Sequence, residues 1–221
     1  MCGRYTYYPG EFHDLRIRWT LDNEFPSLRP RYNIAPSQQA PVIANIDGNN
    51  RLEMFQWGLV PSWAKDPTIG NRMINARAET LAEKPSFKRL LKSRRCLVLA
   101  DGFYEWRREA KSKVPMRFKL KTGEPFVFAG LWDIWKQPQG EILRTYTIIT
   151  TEPNKLLSRI HSRMPVMLND EAALKWLDTH AEITYALSLL KSYPAESMEG
   201  YDVSKLVNNP YNDSPECVSP I

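Results

Sequence analysis

Seventeen prolines are scattered through these 221 residues. Proline fixes φ and offers no backbone N–H, so it interrupts helix interiors and central strands. A chain punctuated so often is confined to short elements joined by irregular loops. Between the prolines, strand patterns outnumber helical ones. Pro41 to Ile46 and Leu52 to Trp57 read as strands either side of Asp47-Gly48-Asn49, a hairpin signal. Cys96 to Ala100 is a compact apolar strand stopped by Asp101-Gly102. Met116, Phe118 and Leu120 alternate with Arg117 and Lys119, the pattern of a strand wet on one face. Phe126 to Leu131 and Tyr146 to Thr150 complete the strands. Charged residues 107–114 read as an exposed hairpin loop, and 24–38, rich in Pro and Arg, as an ordered loop.

Helical signals are fewer. Residues 10–22 carry weak periodicity through Phe12, Leu15 and Trp19. Ser86 reads as the cap of a short helix through Leu91. Pro153 is placed to open another, and two more fall at 170–178 and 181–191, with Pro194 as a stop. No regular βαβ alternation appears. The expected fold is α+β: one domain over residues 1–221, with a mainly antiparallel, barrel-like sheet and peripheral helices.

Hydrophobic residues make up 43% of the chain, enough for a sizeable core. The formal charge of +5 suits a polyanionic partner without requiring one. Cys2, Cys96 and Cys217 form an odd set with no C-x-x-C spacing, which disfavours a disulfide framework or a zinc site and suits a reducing compartment. No apolar run is long enough to span a bilayer, and the N-terminus has no signal-peptide core. The expected location is the cytosol of a bacterium or the nucleus of a larger cell, with no membrane, metal or cofactor.

Four segments carry chemistry. In Cys2-Gly3-Arg4-Tyr5, removal of Met1 puts a thiol and a free α-amino group on one residue. Such a 1,2-aminothiol attacks an aldehyde twice, first as an amine to give a Schiff base and then as a thiol to close a thiazolidine. It equally suits a single attack on an acyl group. Arg4 can clamp a phosphate and lower the thiol pKa, or simply be solvated. Asn75-Ala76-Arg77-Ala78-Glu79 offers an amide that orients an amine or sugar oxygen, though a turn asparagine and a surface Arg77–Glu79 pair fit as well. In Asp101-Gly102-Phe103-Tyr104-Glu105-Trp106, a carboxylate among aromatics suits a general acid, or is a strand glutamate facing water. His161-Ser162-Arg163-Met164-Pro165 places a histidine between basic residues at an element end. His13 and His180 lie in plain helical contexts.

Together these segments resemble the SRAP family, the SOS response-associated peptidase domain. The resemblance also takes in Arg31-Tyr32-Asn33-Ile34-Ala35-Pro36, Trp57-Gly58-Leu59-Val60-Pro61-Ser62-Trp63 and a closing segment with Val207-Asn208-Asn209. It covers essentially the whole chain, in order. It implies a sensor and shield for abasic sites in single-stranded DNA. The N-terminal cysteine captures the opened sugar's aldehyde as a thiazolidine crosslink. The family also ties this cysteine to removal of its own preceding methionine and to lyase-type chemistry. By this match Cys2 is the nucleophile. Asn75 and Glu105 position the amine and sugar, with Glu105 as proton donor, and His161 assists Schiff-base formation or reversal. Arg4, Arg77 and Arg163 hold phosphates, Trp63 wedges against an unstacked base or packs in the core, and Asn33 and Pro36 shape the pocket. The implied protein is a monomer whose partners are abasic single-stranded DNA and replication-fork components.

Two rivals remain at this level. A glutamine amidohydrolase of the N-terminal-nucleophile type also begins Met-Cys-Gly but binds glutamine, and it normally accompanies a synthase domain. A non-catalytic single-strand-binding module gives no reason for cysteine at position 2.

Overall fold

A computed structural model describes residues 2–8, 18–23, 28–110, 112–137 and 139–221. Among them the strands are β1 (Tyr5–Tyr7), β2 (Arg31–Ile34), β3 (Gln39–Ile46), β4 (Asn49–Trp57), β5 (Asn75–Arg77), β6 (Arg95–Ala100) and β7 (Gly102–Arg108). They continue with β8 (Lys113–Leu120), β9 (Phe126–Lys136), β10 (Ile142–Thr151), β11 (Met164–Pro165), β12 (Met167–Leu168) and β13 (Met198–Asp202). The helices are short: α1 (Pro85–Lys88), α2 (Leu90–Ser93), α3 (Asp170–Leu177) and α4 (Ile183–Ser188), with several 3-10 turns.

One sheet closes on itself. β10 pairs with β4, β4 with β3, β3 with β6, β6 with β9, and β9 returns to β10. These five strands form a barrel, antiparallel except at the β4–β10 seam. Closure removes the exposed edges that an open sheet must protect. Beyond the seam, β10 takes β5 alongside in parallel and β11 in antiparallel. The second sheet runs β13-β8-β7-β1-β2. A single hydrophobic cluster draws Tyr5, Phe103 and Phe118 from that sheet and Phe55, Phe128 and Tyr146 from the barrel. The α+β class, mainly antiparallel and barrel-like, is what the chain adopts.

The β3–β4 hairpin lies where the Asp47-Gly48-Asn49 signal places it, turning through Asp47 and Gly48 at φ 52° and 88°. Positive φ at both central positions fits a primed turn, which matches the twist of a hairpin. Other expectations need correction. The loop expected over 24–38 contains β2, because Arg31–Ile34 finds a partner in β1. Ser86 lies inside α1, whose N-cap is Lys84 with Pro85 in its first turn. No helix follows Pro153. The Asn154 side chain instead accepts from the N–H groups of Leu156 and Leu157, leaving only the 3-10 turn Leu157–Arg159. The loop expected over 107–114 is shorter, since β7 runs to Arg108 and β8 starts at Lys113. Arg117 does not face water. It is 6% exposed and donates to Asp101 Oδ2 at 2.7 Å and to the Tyr201 hydroxyl at 2.9 Å. Most of the helix expected over 10–22, and residues 24–27 of the expected loop, lie outside the described residues. Among the described residues no helix is long and apolar enough to cross a membrane.

Candidate active site

The site is assembled where the N-terminal segment runs beside β7. Tyr5 pairs with Phe103 and Thr6 with Gly102, and the Tyr104 N–H donates to Arg4 O at 2.9 Å. Continued two residues further, this antiparallel register brings Cys2-Gly3 alongside Glu105. From the other side, β5 presents Asn75, whose Nδ2 donates to the Cys2 carbonyl at 2.8 Å. The opposite end of that amide, Asn75 Oδ1, is buried with no hydrogen-bond partner among the described residues. It is an acceptor of the kind an amine N–H needs.

Cys2 is fully buried, with its Sγ 3.8 Å from Arg4 O. Burial, and then the charge of Glu105, push the thiol well above its ordinary value. This corrects the expectation that Arg4 lowers it. The Arg4 guanidinium points away, its Nη1 donating to Asn33 Oδ1 at 2.7 Å and Val207 O at 2.6 Å, and it lies 6.0 Å from the Trp106 ring. Glu105 is 3% exposed. Burial raises its carboxyl, while the α-amino terminus and His161 oppose the rise. A raised carboxyl remains a proton donor at higher pH. Beneath Cys2, the hydroxyls of Tyr5 and Tyr146 share a buried 2.6 Å hydrogen bond.

His161 follows the 3-10 turn, and its Nδ1 accepts from the Arg163 N–H at 3.0 Å, with Arg163 O at a longer 3.3 Å. An accepting Nδ1 puts the neutral ring's proton on Nε2. Arg163 is itself held, with Nη1 and Nη2 donating to the two Glu79 oxygens at 2.7 and 2.8 Å. Arg77 is exposed at the same barrel end, opposite Thr150 of β10, and makes no side-chain hydrogen bond among the described residues. Trp63 is 57% exposed and lines an open cleft of about 490 Å³ with Lys65, Asp66 and Arg72. Pro36 lies in the turn after β2. Asn33 is fully buried, with its Nδ2 donating to the carbonyls of Val207, Asn209 and Asn212.

The structure thus gathers Cys2, Asn75, Glu105 and His161 at one end of the barrel, with Arg4, Arg77 and Arg163 around them. Asn33 sits behind Arg4 and exposes no surface to a ligand. Sequence reasoning missed the Tyr5–Tyr146 pair and the hold of Glu79 on Arg163. Both are contacts between elements far apart in the chain. The one local signal was Tyr5, directly following Cys2-Gly3-Arg4. Among the described residues no group of three or more His, Cys, Asp or Glu side chains is arranged to hold a metal ion.

Comparison with known proteins finds relatives along the whole chain. "Abasic site processing protein YoqW" of Bacillus subtilis is 51% identical over 222 residues, covering 99% of each chain. "Abasic site processing protein HMCES" of Xenopus tropicalis is 35% identical over 231 residues, covering 90% of this chain and 69% of its own. A crystal structure of a protein from Bacteroides thetaiotaomicron superposes over the whole of both chains with a TM-score of 0.88 at 29% identity. Residues 1–210 match the family described as SOS response associated peptidase. The chain belongs to the SOS response associated peptidase (SRAP) family.

Proposed function

We propose that this protein, acting as one 221-residue unit and a monomer, captures abasic sites in single-stranded DNA as a covalent thiazolidine through Cys2. Met1 is removed first, by the protein's own peptidase activity, which frees the Cys2 α-amino group. The amine adds to the C1′ aldehyde of the ring-opened deoxyribose and gives a carbinolamine. Protonated Glu105 donates to its hydroxyl, water leaves, and an iminium forms. The Cys2 thiol then adds to the same carbon, and its proton returns to the Glu105 carboxylate as the ring closes. The net change is one C–N bond and one C–S bond formed and one water lost. His161 is placed to move protons in imine formation or reversal. A lyase branch, in which the imine promotes strand cleavage, starts from the same intermediate. Replication-fork components are the proposed protein partners, and the bacterial cytoplasm the proposed location, at the nucleoid when DNA is bound.

The observation that carries this reading is the convergence on Cys2. The Asn75 amide grips its carbonyl at 2.8 Å and leaves a buried acceptor free, and the raised acid Glu105 stands beside the thiol. An aldehyde on a polyanion needs an aminothiol, a proton donor and cations, and these residues supply them. A base-free nucleotide also costs less to extrude from a stack. Incubation with an abasic oligonucleotide is expected to give an intact mass equal to processed protein plus oligonucleotide minus one water. Retained Met1 in the adduct, or glutaminase activity with no adduct, would overturn the proposal.

A further inference from the structure

Glu79 takes no part in the chemistry proposed above, yet it is tied to it. It lies on the 3-10 turn Ala78–Thr80 that follows β5. Both carboxylate oxygens accept from Arg163 at 2.7 and 2.8 Å, and Arg163 Nη2 donates again to Thr150 O at 2.5 Å. The fork leaves the Arg163 side chain only 13% exposed. It also holds the Glu79 carboxyl below the usual carboxylate range, chiefly through the hydrogen bond from Arg163.

The backbone N–H of that same arginine is the donor to His161 Nδ1. Nδ1 also lies 3.3 Å from Arg163 O, so both tautomers meet this peptide, and the shorter bond, which only an unprotonated Nδ1 can accept, favours the proton on Nε2. The peptide that carries the N–H is fixed at two ends. Downstream, Met164 and Pro165 pair with β10. At the side-chain end, Glu79 and Thr150 hold the guanidinium. The guanidinium in this pair is nearly buried, so losing Glu79 leaves a charge held only by Thr150 O among the hydrogen bonds described for its side chain.

We infer that Glu79 is a positioning residue for His161: by clamping Arg163 it fixes the imidazole tautomer and orientation used for proton transfer on the abasic sugar. This rests on the function proposed above. The test uses the full chain with Glu79→Ala, Glu79→Gln and Glu79→Asp. Single-turnover adduct formation and release are measured at saturating abasic single-stranded DNA, alongside affinity for an uncrosslinkable abasic analogue. The His161 ring is followed by its nitrogen chemical shifts without DNA. A positioned acid or base contributes about 10²–10⁴-fold. Misplacing it through Glu79→Ala or Glu79→Gln is expected to slow formation or release about tenfold, part of that range. Affinity should stay within about threefold, because removing an anion from a DNA-facing lip offsets the looser arginine. Glu79→Asp keeps a carboxylate and should recover part of the rate. In a His161→Ala background, Glu79→Ala should cost nothing further, since a residue acting through His161 is coupled to it. The nitrogen shifts should move from a fixed Nε2–H tautomer toward a mixture. Unchanged rates at saturation, or an equal loss in the His161→Ala background, would overturn the inference. If the wild-type protein forms no adduct at all, the proposed function fails. The nitrogen shifts then decide the Glu79 assignment alone, and an unaltered tautomer in Glu79→Ala sinks it.

Discussion

Glu105 is 3% exposed beside a fully buried thiol, and burial raises its carboxyl. An acid raised in this way donates until pH climbs through its folded value. Adduct formation should therefore slow on the alkaline side. Glu105→Gln should lose that pH limb and run about 10²–10⁴-fold slower in single-turnover assays. The same shift has a sign for stability. The folded state favours the protonated carboxyl, so this contribution is full below the unfolded pKa and is lost as pH rises through the folded one. Glu105→Gln is accordingly expected to raise Tm relative to wild type more at about pH 8 than at about pH 5, read by thermal denaturation. The two lip arginines should also differ. Arg77 is exposed and makes no side-chain hydrogen bond among the described residues, whereas Arg163 is already paired with Glu79. Arg77→Ala should flatten the salt dependence of DNA binding by about one phosphate contact. Arg163→Ala should flatten it less, as measured by binding across a salt series.

At the scale of elements, β10 organises the site. Its first part closes the barrel between β4 and β9, and its last residues carry β5 on one side and β11 on the other. Asn75 and Arg77 arrive on β5, and His161 and Arg163 lie just before β11. The crossing from β4 to β5 depends on two glycines in contact. Gly58 has φ 117°, and a Cβ there would stand 2.7 Å from Gly70 O. Backbone cannot yield as a flexible side chain can. Gly58→Ala is expected to cost about 1–3 kcal/mol. In a domain of this size that lowers Tm by about 2–4 °C for each kcal/mol, which a thermal melt followed by circular dichroism will show. β3 and β4 were legible because Ala40 to Ala44 is an unbroken buried run and the Asp47-Gly48 turn marks the hairpin that joins them. β1, β2, β5 and β11 have two to four residues each and no period to read. They are strands only because a partner remote in sequence lies alongside.

Across the whole molecule, the last residues of the chain brace the first. Asn33 joins them, taking Arg4 on its Oδ1 and three carbonyls of the closing segment on its Nδ2. Asp213 accepts from the backbone N–H groups of Tyr32 and Asn33, and Trp106 Nε1 donates to Asn208 Oδ1 at 2.8 Å. Asn33→Ala removes up to three hydrogen bonds of a fully buried side chain, each worth about 0.5–1.5 kcal/mol net, and is expected to cost roughly 2–4 kcal/mol in denaturant unfolding. It should also weaken abasic-DNA binding, because Arg4 loses its seat. By itself the sequence determined the family and the α+β class, and it named the residues proposed to carry the chemistry. Those residues lie in short contiguous runs, and residue type and strand periodicity are written locally. Only the tertiary structure decided that the Cys2 thiol is pushed up rather than down, that Asn33 is an internal brace and that Glu79 occupies Arg163. Desolvation and pairing depend on which side chains meet through space, and here these came from residues up to 203 positions apart.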